Sequence, residues 1–142
     1  LHLSLRRQRQ MCIRDRRGSA ELITDLRPGE IFVFGSNAAG SHAGGAARQA
    51  VRDFGAIMGQ AHGLQGRSYA LVSMSGLDVI AEETATFYAF ARTHPELTFL
   101  VTEIGCGIAG HTPTEVAPLF AGAPRNVVLP RSFIELLEGT HE

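Results

Sequence analysis

The chain has 142 residues, 44% of them hydrophobic, which is enough for one domain with a substantial core. Every one of its 13 basic residues is an arginine, so a P-loop lysine, a Schiff-base lysine and a lysine general base are excluded. Its 2 cysteines argue against a disulfide framework and against a Cys-rich zinc site.

Residues 1–16 carry five arginines and no apolar period, which is atypical of a folded element. The run from Arg6 to Asp15 can be back-translated into the sequence of a transposase sequencing adapter, so we expect residues 1–16 to be adapter-derived and residues 17–142 to form one domain. The alternative is a basic arm that binds nucleic acid. Without residues 1–16, eight basic residues stand against thirteen acidic ones, a net charge near −5, which argues against duplex nucleic acid as the main partner.

The hydropathy of the chain gives no sign of a membrane protein. No apolar run approaches the roughly 18 residues needed to span a bilayer, and we find no signal-peptide pattern. We therefore expect a cytoplasmic protein without a membrane partner. The histidines and cysteines show no metal-ligand spacing, so neither a metal nor a cofactor is predicted.

Apolar segments of strand length alternate with segments of helical period along the chain. This alternation predicts an α/β fold with a mostly parallel sheet, helices on both faces and ligands at the carboxyl ends of the strands. The predicted elements are a strand at 31–34, a helix at about 44–54, a loop at 59–66, a strand at 68–73, a helix at 77–93, a strand at 97–102, a helix at 113–120, a strand at 126–129 and a helix at 132–137.

Two Gly-rich segments join a predicted strand to a predicted helix. The first runs from Phe34 to Ala47 and the second from Glu103 to Pro113. Glycine allows positive φ angles and close approach of the backbone to an anion, and a helix N-terminus adds unpaired N–H groups. Neither segment is a dinucleotide fingerprint or a Walker A motif, and each alone is compatible with a tight turn. Together they predict a clamp for the two phosphates of a diphosphate.

The combination of V-F-G-S-N, H-A-G-G-A-A-R-Q-A-V-R-D-F-G and T-E-I-G-C-G-I-A-G-H-T-P resembles the two ligand loops of macrodomains. It is most similar to the branch that contains terminal ADP-ribose protein glycohydrolase, and to small macrodomain-like proteins of bacteria and phages. The resemblance covers about Ile31 to Phe133. It implies a three-layer α/β/α fold with a mostly parallel mixed sheet, and ADP-ribose or a related nucleotide as ligand.

Carried over by position, the resemblance implies that Asn37 lies near the distal ribose and that the two loops hold the diphosphate from opposite sides. The implied ligand-binding residues are Gly35, Ser36, Asn37, Gly44, Gly45, Ala46, Gly105, Cys106, Gly107, Ile108, Ala109 and Gly110.

The catalytic groups of the related hydrolases do not transfer to this chain. The acidic residue that follows the G-C-G-Leu segment of the glycohydrolase branch is replaced by Ala109, and its lysine partner is absent. The acid of the other hydrolase type would fall near Ala46 and Ala47.

Five side chains in or beside the predicted cleft could still carry chemistry: Asn37, His42, His111, Ser36 and Glu103. We predict Asn37, His42 and His111 as the catalytic candidates; the alternative for each histidine is a simple hydrogen bond to ligand or solvent. Cys106 could act as a nucleophile if its pKa were lowered, or serve in packing.

Three functions are compatible with these residues. The first is binding of ADP-ribose, free or attached to a macromolecule. The second is hydrolysis of an ADP-ribose derivative, as an ADP-ribosyl glycohydrolase or an ADP-ribose phosphate phosphatase. The third is a protein interaction module with a vestigial cleft.

Overall fold

The computed structural model describes residues 23, 25–42, 45–106 and 109–139. Residues 1–16, expected to be adapter-derived, lie outside this described part, as do three of the predicted ligand-binding residues, Gly44, Gly107 and Ile108.

Apart from the consecutive strands β2 and β3, strands and helices alternate through the described part of the chain. In chain order they are β1 (Glu30–Ser36), α1 (Gly45–Asp53), β2 (Gly63–Gln65), β3 (Ser68–Val72), α2 (Leu77–Arg92), β4 (Thr98–Val101), α3 (Pro113–Val116), a 3-10 turn (Ala117–Phe120), β5 (Val127–Val128) and α4 (Arg131–Gly139). No helix among these residues is long and apolar enough to cross a bilayer.

The five strands form one sheet in the order β2-β3-β1-β4-β5. β1 pairs in parallel with β3 and β4, and β4 pairs in parallel with β5, whereas β2 is antiparallel to β3. The predicted α/β class and the mostly parallel mixed sheet are therefore confirmed.

Strand β1 is central and is buried on both faces. Val33 packs with residues from α2, the 3-10 turn and α4, among them Phe87 and Phe120, whereas Phe34 packs with Ala50 of α1 on the opposite face. A strand covered on both faces needs apolar side chains at consecutive positions, which explains its continuous apolar run.

Strand β2 corrects the prediction of a loop over residues 59–66. Gln65 pairs with Ser68, so β2 and β3 form a hairpin whose two-residue loop begins with Gly66 at φ 62°. A glycine at the first position of a two-residue loop is typical of a β-hairpin and was the available signal. The hydropathy pattern did not predict this strand, because it is three residues long and its central Leu64 is exposed.

The helix predicted for residues 113–120 is α-helical only as far as Val116 and continues as a 3-10 turn. Pro118 explains the change, since proline has no N–H to donate and its ring clashes with the preceding turn of an α-helix. The start of α3 follows the prediction: Pro113 occupies the first turn, and Thr112 and Glu115 form a capping box.

Candidate functional site

A cleft of about 240 Å³ opens where β1, β3 and β4 end. Because these strands are parallel, their carboxyl ends meet at one edge of the sheet, where α/β proteins bind ligands. The residues that line it come from three segments: Gly35, Ser36, Asn37, Ser41, Gly45, Ala46 and Ala47; Ser73 and Met74; and Thr102, Glu103, Ile104, Gly105 and Ala109.

The first loop, which is the Gly-rich segment between β1 and α1, is folded around the side chain of Asn37. Its carboxamide oxygen accepts a hydrogen bond from the backbone N–H of Ser41 at 2.9 Å, and its amide group donates to the Ser41 carbonyl at 3.3 Å. The loop also touches the segment before β2, because the Gly59 N–H donates to the Gly40 carbonyl at 2.8 Å. Asn37 thus shapes one wall of the cleft as well as lining it.

The first turn of α1 forms the wall on this side of the cleft. Gly45, Ala46 and Ala47 all line it, and none carries a bulky side chain. The first N–H groups of an α-helix have no partner within the helix, and this end carries a partial positive charge. The wall is therefore suited to an anionic group that can approach the backbone closely.

The second loop, which is the Gly-rich segment between β4 and α3, begins at Thr102 and turns at Gly105. Gly105 has φ 81°, and a Cβ there would lie 3.1 Å from Ile80 Cδ1, so both the conformation and the packing favour glycine. The His111 N–H donates to the Gly105 carbonyl at 2.9 Å and closes the loop. Of the predicted ligand-binding residues in this loop, Gly105 and Ala109 line the cleft, whereas Gly110 is exposed and does not line it.

The third segment of the wall, Ser73 and Met74, was missed by the sequence analysis. It follows β3, which neighbours β1 in the sheet and ends at the same edge. The hydroxyl of Ser73 would lie 2.5 Å from a Cβ placed on Gly35, so the packing of the Ser73 side chain favours glycine at position 35. The strand predicted at 68–73 was the signal that could have placed Ser73 and Met74 in the wall of the cleft, because parallel strands end at the same edge of a sheet.

His42 was predicted to lie in or beside the cleft, and the structure places it in the core instead. It is 2% exposed and packs edge-on against Phe34, with ring centroids 5.0 Å apart. Its Nε2 donates to Gln65 Oε1 at 3.2 Å, and the same oxygen accepts from the Ile57 N–H at 2.8 Å. Its Nδ1 is buried and has no partner among the described residues. His42 therefore packs the first loop against β1 and β2 and does not line the cleft.

His111 also lies outside the cleft lining. Its Nδ1 is 3.9 Å from Glu115 Oε1, and its ring packs beside Gly105. His62, which the sequence allowed as a base or ribose contact, pairs with Glu83 of α2, with Nδ1 3.1 Å from the carboxylate. Neither histidine lines the cleft.

Cys106 is half-buried against the core and does not line the cleft. Burial raises the pKa of its thiol to about 11, and the carboxylates of Glu103 and Glu115 act in the same direction. A thiol with a raised pKa is a poor nucleophile at neutral pH, so the surroundings of Cys106 favour the packing role.

Three of the four hydroxyl side chains that line the cleft donate their hydrogens to backbone carbonyls. Ser36 donates to the Ala61 carbonyl, Thr102 to the Val33 carbonyl at 2.8 Å, and Ser73 to the Ser36 carbonyl at 3.4 Å. With their hydrogens engaged in this way, these oxygens offer lone pairs that accept hydrogen bonds from a ligand.

Glu103 is the one charged side chain among the described residues that line the cleft. It is exposed at the rim, and its Oε2 accepts a hydrogen bond from Ser132 Oγ at 2.5 Å. No group of three or more His, Cys, Asp or Glu side chains in the described part of the chain is arranged to hold a metal ion.

Comparison of the chain with protein-family models, with curated proteins and with solved structures gave no match.

Proposed function

We propose that this protein is a macrodomain-like domain that binds ADP-ribose, or a related nucleotide diphosphate, in the cleft at the carboxyl ends of β1, β3 and β4. The observation that carries the proposal is that both Gly-rich segments line this one cleft, although about 60 residues separate them along the chain. The three-layer α/β/α arrangement of macrodomains is consistent with helices on both faces of the sheet.

The diphosphate is proposed to lie at the N-terminus of α1. A phosphate at neutral pH accepts hydrogen bonds and carries negative charge, so it requires donors and a positive potential. The small residues Gly45, Ala46 and Ala47 leave the backbone N–H groups of this turn accessible. Gly105 and Ala109 line the cleft from the second loop, so a diphosphate could be held between the two loops.

The size of the cleft limits which part of the nucleotide it can enclose. Its volume of about 240 Å³ is below the roughly 300–1,000 Å³ of pockets that enclose a whole drug-sized ligand. We therefore place the diphosphate and the adjacent sugar inside the cleft, and the base at its rim beside Met74, which is exposed there.

Binding is better supported than hydrolysis. Of the predicted catalytic candidates, His42 is buried in the core and His111 lies outside the lining, so neither is placed to move a proton at a bound ligand. Asn37 lines the cleft, but an amide is neither an acid nor a base. A hydrolytic reaction in this cleft would depend on Glu103.

The test is calorimetric titration of ADP-ribose into the protein, with AMP and NAD as comparators. We expect micromolar affinity for ADP-ribose and weaker binding of AMP, which has a single phosphate. Incubation of the complex, followed by chromatography of the nucleotide, should show no turnover.

Ala46→Glu is the variant that should block the site. The new carboxylate would occupy the cleft and repel the diphosphate, while an acidic residue in the first turn of a helix favours folding. Ala39→Glu is the matched control, because it adds the same charge at an exposed position of the same loop that does not line the cleft. Loss of binding in both variants, or no binding in the unaltered protein, would refute the proposal.

A further inference from the structure

We infer that Glu103 is a specificity-determining residue that selects ligands presenting a sugar hydroxyl, and rejects ligands presenting a terminal phosphate, at the β4 side of the cleft. The inference rests on the proposed function, because it concerns the group attached to the diphosphate.

The position of Glu103 puts a fixed negative charge on one wall. It lies just after β4 and is the one charged side chain that the described residues contribute to the cleft. Ser132, in the first turn of α4, holds one of its carboxylate oxygens at 2.5 Å. An ionised carboxylate accepts about four hydrogen bonds in all, so it retains capacity for a ligand.

The side chain that precedes Glu103 has the same hydrogen-bonding character. The hydroxyl of Thr102, which also lines the cleft, donates to the Val33 carbonyl at 2.8 Å and leaves its oxygen as an acceptor. This wall therefore offers acceptors, and it requires a ligand group that brings its own hydrogens. The opposite wall, at the first turn of α1, offers backbone donors.

A ligand that satisfies both walls is anionic at one end and rich in hydroxyl groups at the other. The ribose of ADP-ribose carries hydroxyl hydrogens that a carboxylate accepts in strong, charge-assisted hydrogen bonds. The terminal phosphate of ADP accepts hydrogen bonds itself and is repelled by the carboxylate. Both ligands contain a diphosphate, so the difference between them isolates the group that meets Glu103.

The experiment measures the affinities of ADP-ribose and ADP for the unaltered protein and for Glu103→Gln, which keeps the shape and removes the charge. We expect the unaltered protein to prefer ADP-ribose, and the variant to lose about tenfold of this preference, because ADP-ribose binds more weakly and ADP more tightly. Glu96→Gln, at an exposed turn before the opposite end of β4, removes the same charge away from the cleft and should leave the preference unchanged.

Ser132→Ala provides a second, independent measurement. It releases the carboxylate of Glu103 but keeps its charge, so ADP-ribose should bind more weakly while ADP should not gain affinity. If the unaltered protein binds ADP-ribose and Glu103→Gln retains the full preference over ADP, the role of Glu103 is refuted and the proposed function survives. If the unaltered protein binds neither nucleotide, the proposed function itself fails.

Discussion

Replacement of Gly40 by alanine should destabilise the protein strongly, because two loops touch through their backbones at this residue. Gly40 has φ 71°, and a Cβ there would lie 2.5 Å from the Gly59 carbonyl carbon and 2.8 Å from the Gln60 nitrogen. These are backbone atoms, so no side chain can rotate away to make room. The first loop or the segment before β2 would have to move, and the hydrogen bond from the Gly59 N–H to the Gly40 carbonyl would be strained.

The magnitude has two parts. A left-handed backbone conformation costs a non-glycine residue roughly 1–2 kcal/mol. Displacement of packed atoms by an added methyl group costs about 1–3 kcal/mol more. We therefore expect Gly40→Ala to lower the free energy of unfolding by about 2–5 kcal/mol, a large part of the roughly 5–15 kcal/mol that stabilises a typical domain.

Gly122→Ala is the matched control, because Gly122 has φ 76° and an added Cβ would meet no heavy atom within 4 Å. It should cost only the conformational part, about 1–2 kcal/mol. Urea unfolding followed by circular dichroism gives both values, and their difference measures the steric part. Equal losses in the two variants would show that the contact of Gly40 with Gly59 is not as close as the structure describes, and would refute the argument.

Two further predictions follow from raised pKa values. In a Cys12→Ser background, Cys106 should react with iodoacetamide at neutral pH at least about tenfold more slowly than free cysteine, since its pKa is raised to about 11; an equal rate would contradict its burial. Burial raises the pKa of Tyr69 to about 12, against about 10 in the unfolded chain. The stability that this shift contributes is present below pH 10 and is lost as the pH rises towards 12. Unfolding at a series of pH values should show this loss, and Tyr69→Phe should reduce it.

Local sequence signals determined much of the fold. The run at Ile31–Phe34 predicted a strand buried on both faces, and the structure has one there. Pro113 marked the first turn of α3, as expected of a residue whose missing N–H would have no partner at that position. Such signals act within a few residues, so they can be recognised without any knowledge of packing.

Both predicted Gly-rich segments line one cleft in the structure, whereas two of the histidines that were expected beside it do not. Glycines such as Gly35 and Gly105 could be predicted to line it, because their role depends on backbone freedom at a strand end. His42 could not be placed, because the sequence does not show that Gln65 of β2 and Phe34 of β1 lie beside it. Ser73 and Met74 were also missed, although they stand at the end of a strand that the sequence predicted.

The sequence by itself therefore determined the alternation of strands and helices and the two Gly-rich turns, since these follow from hydrophobic period and backbone conformation. Only the tertiary structure decided which hydroxyl groups donate to backbone carbonyls, which histidine is buried, and which carboxylate lines the cleft. Hydrogen bonds such as that between Ser132 and Glu103 join residues far apart in the chain. Their partners are set by the packing of whole elements against the sheet, which no local pattern encodes.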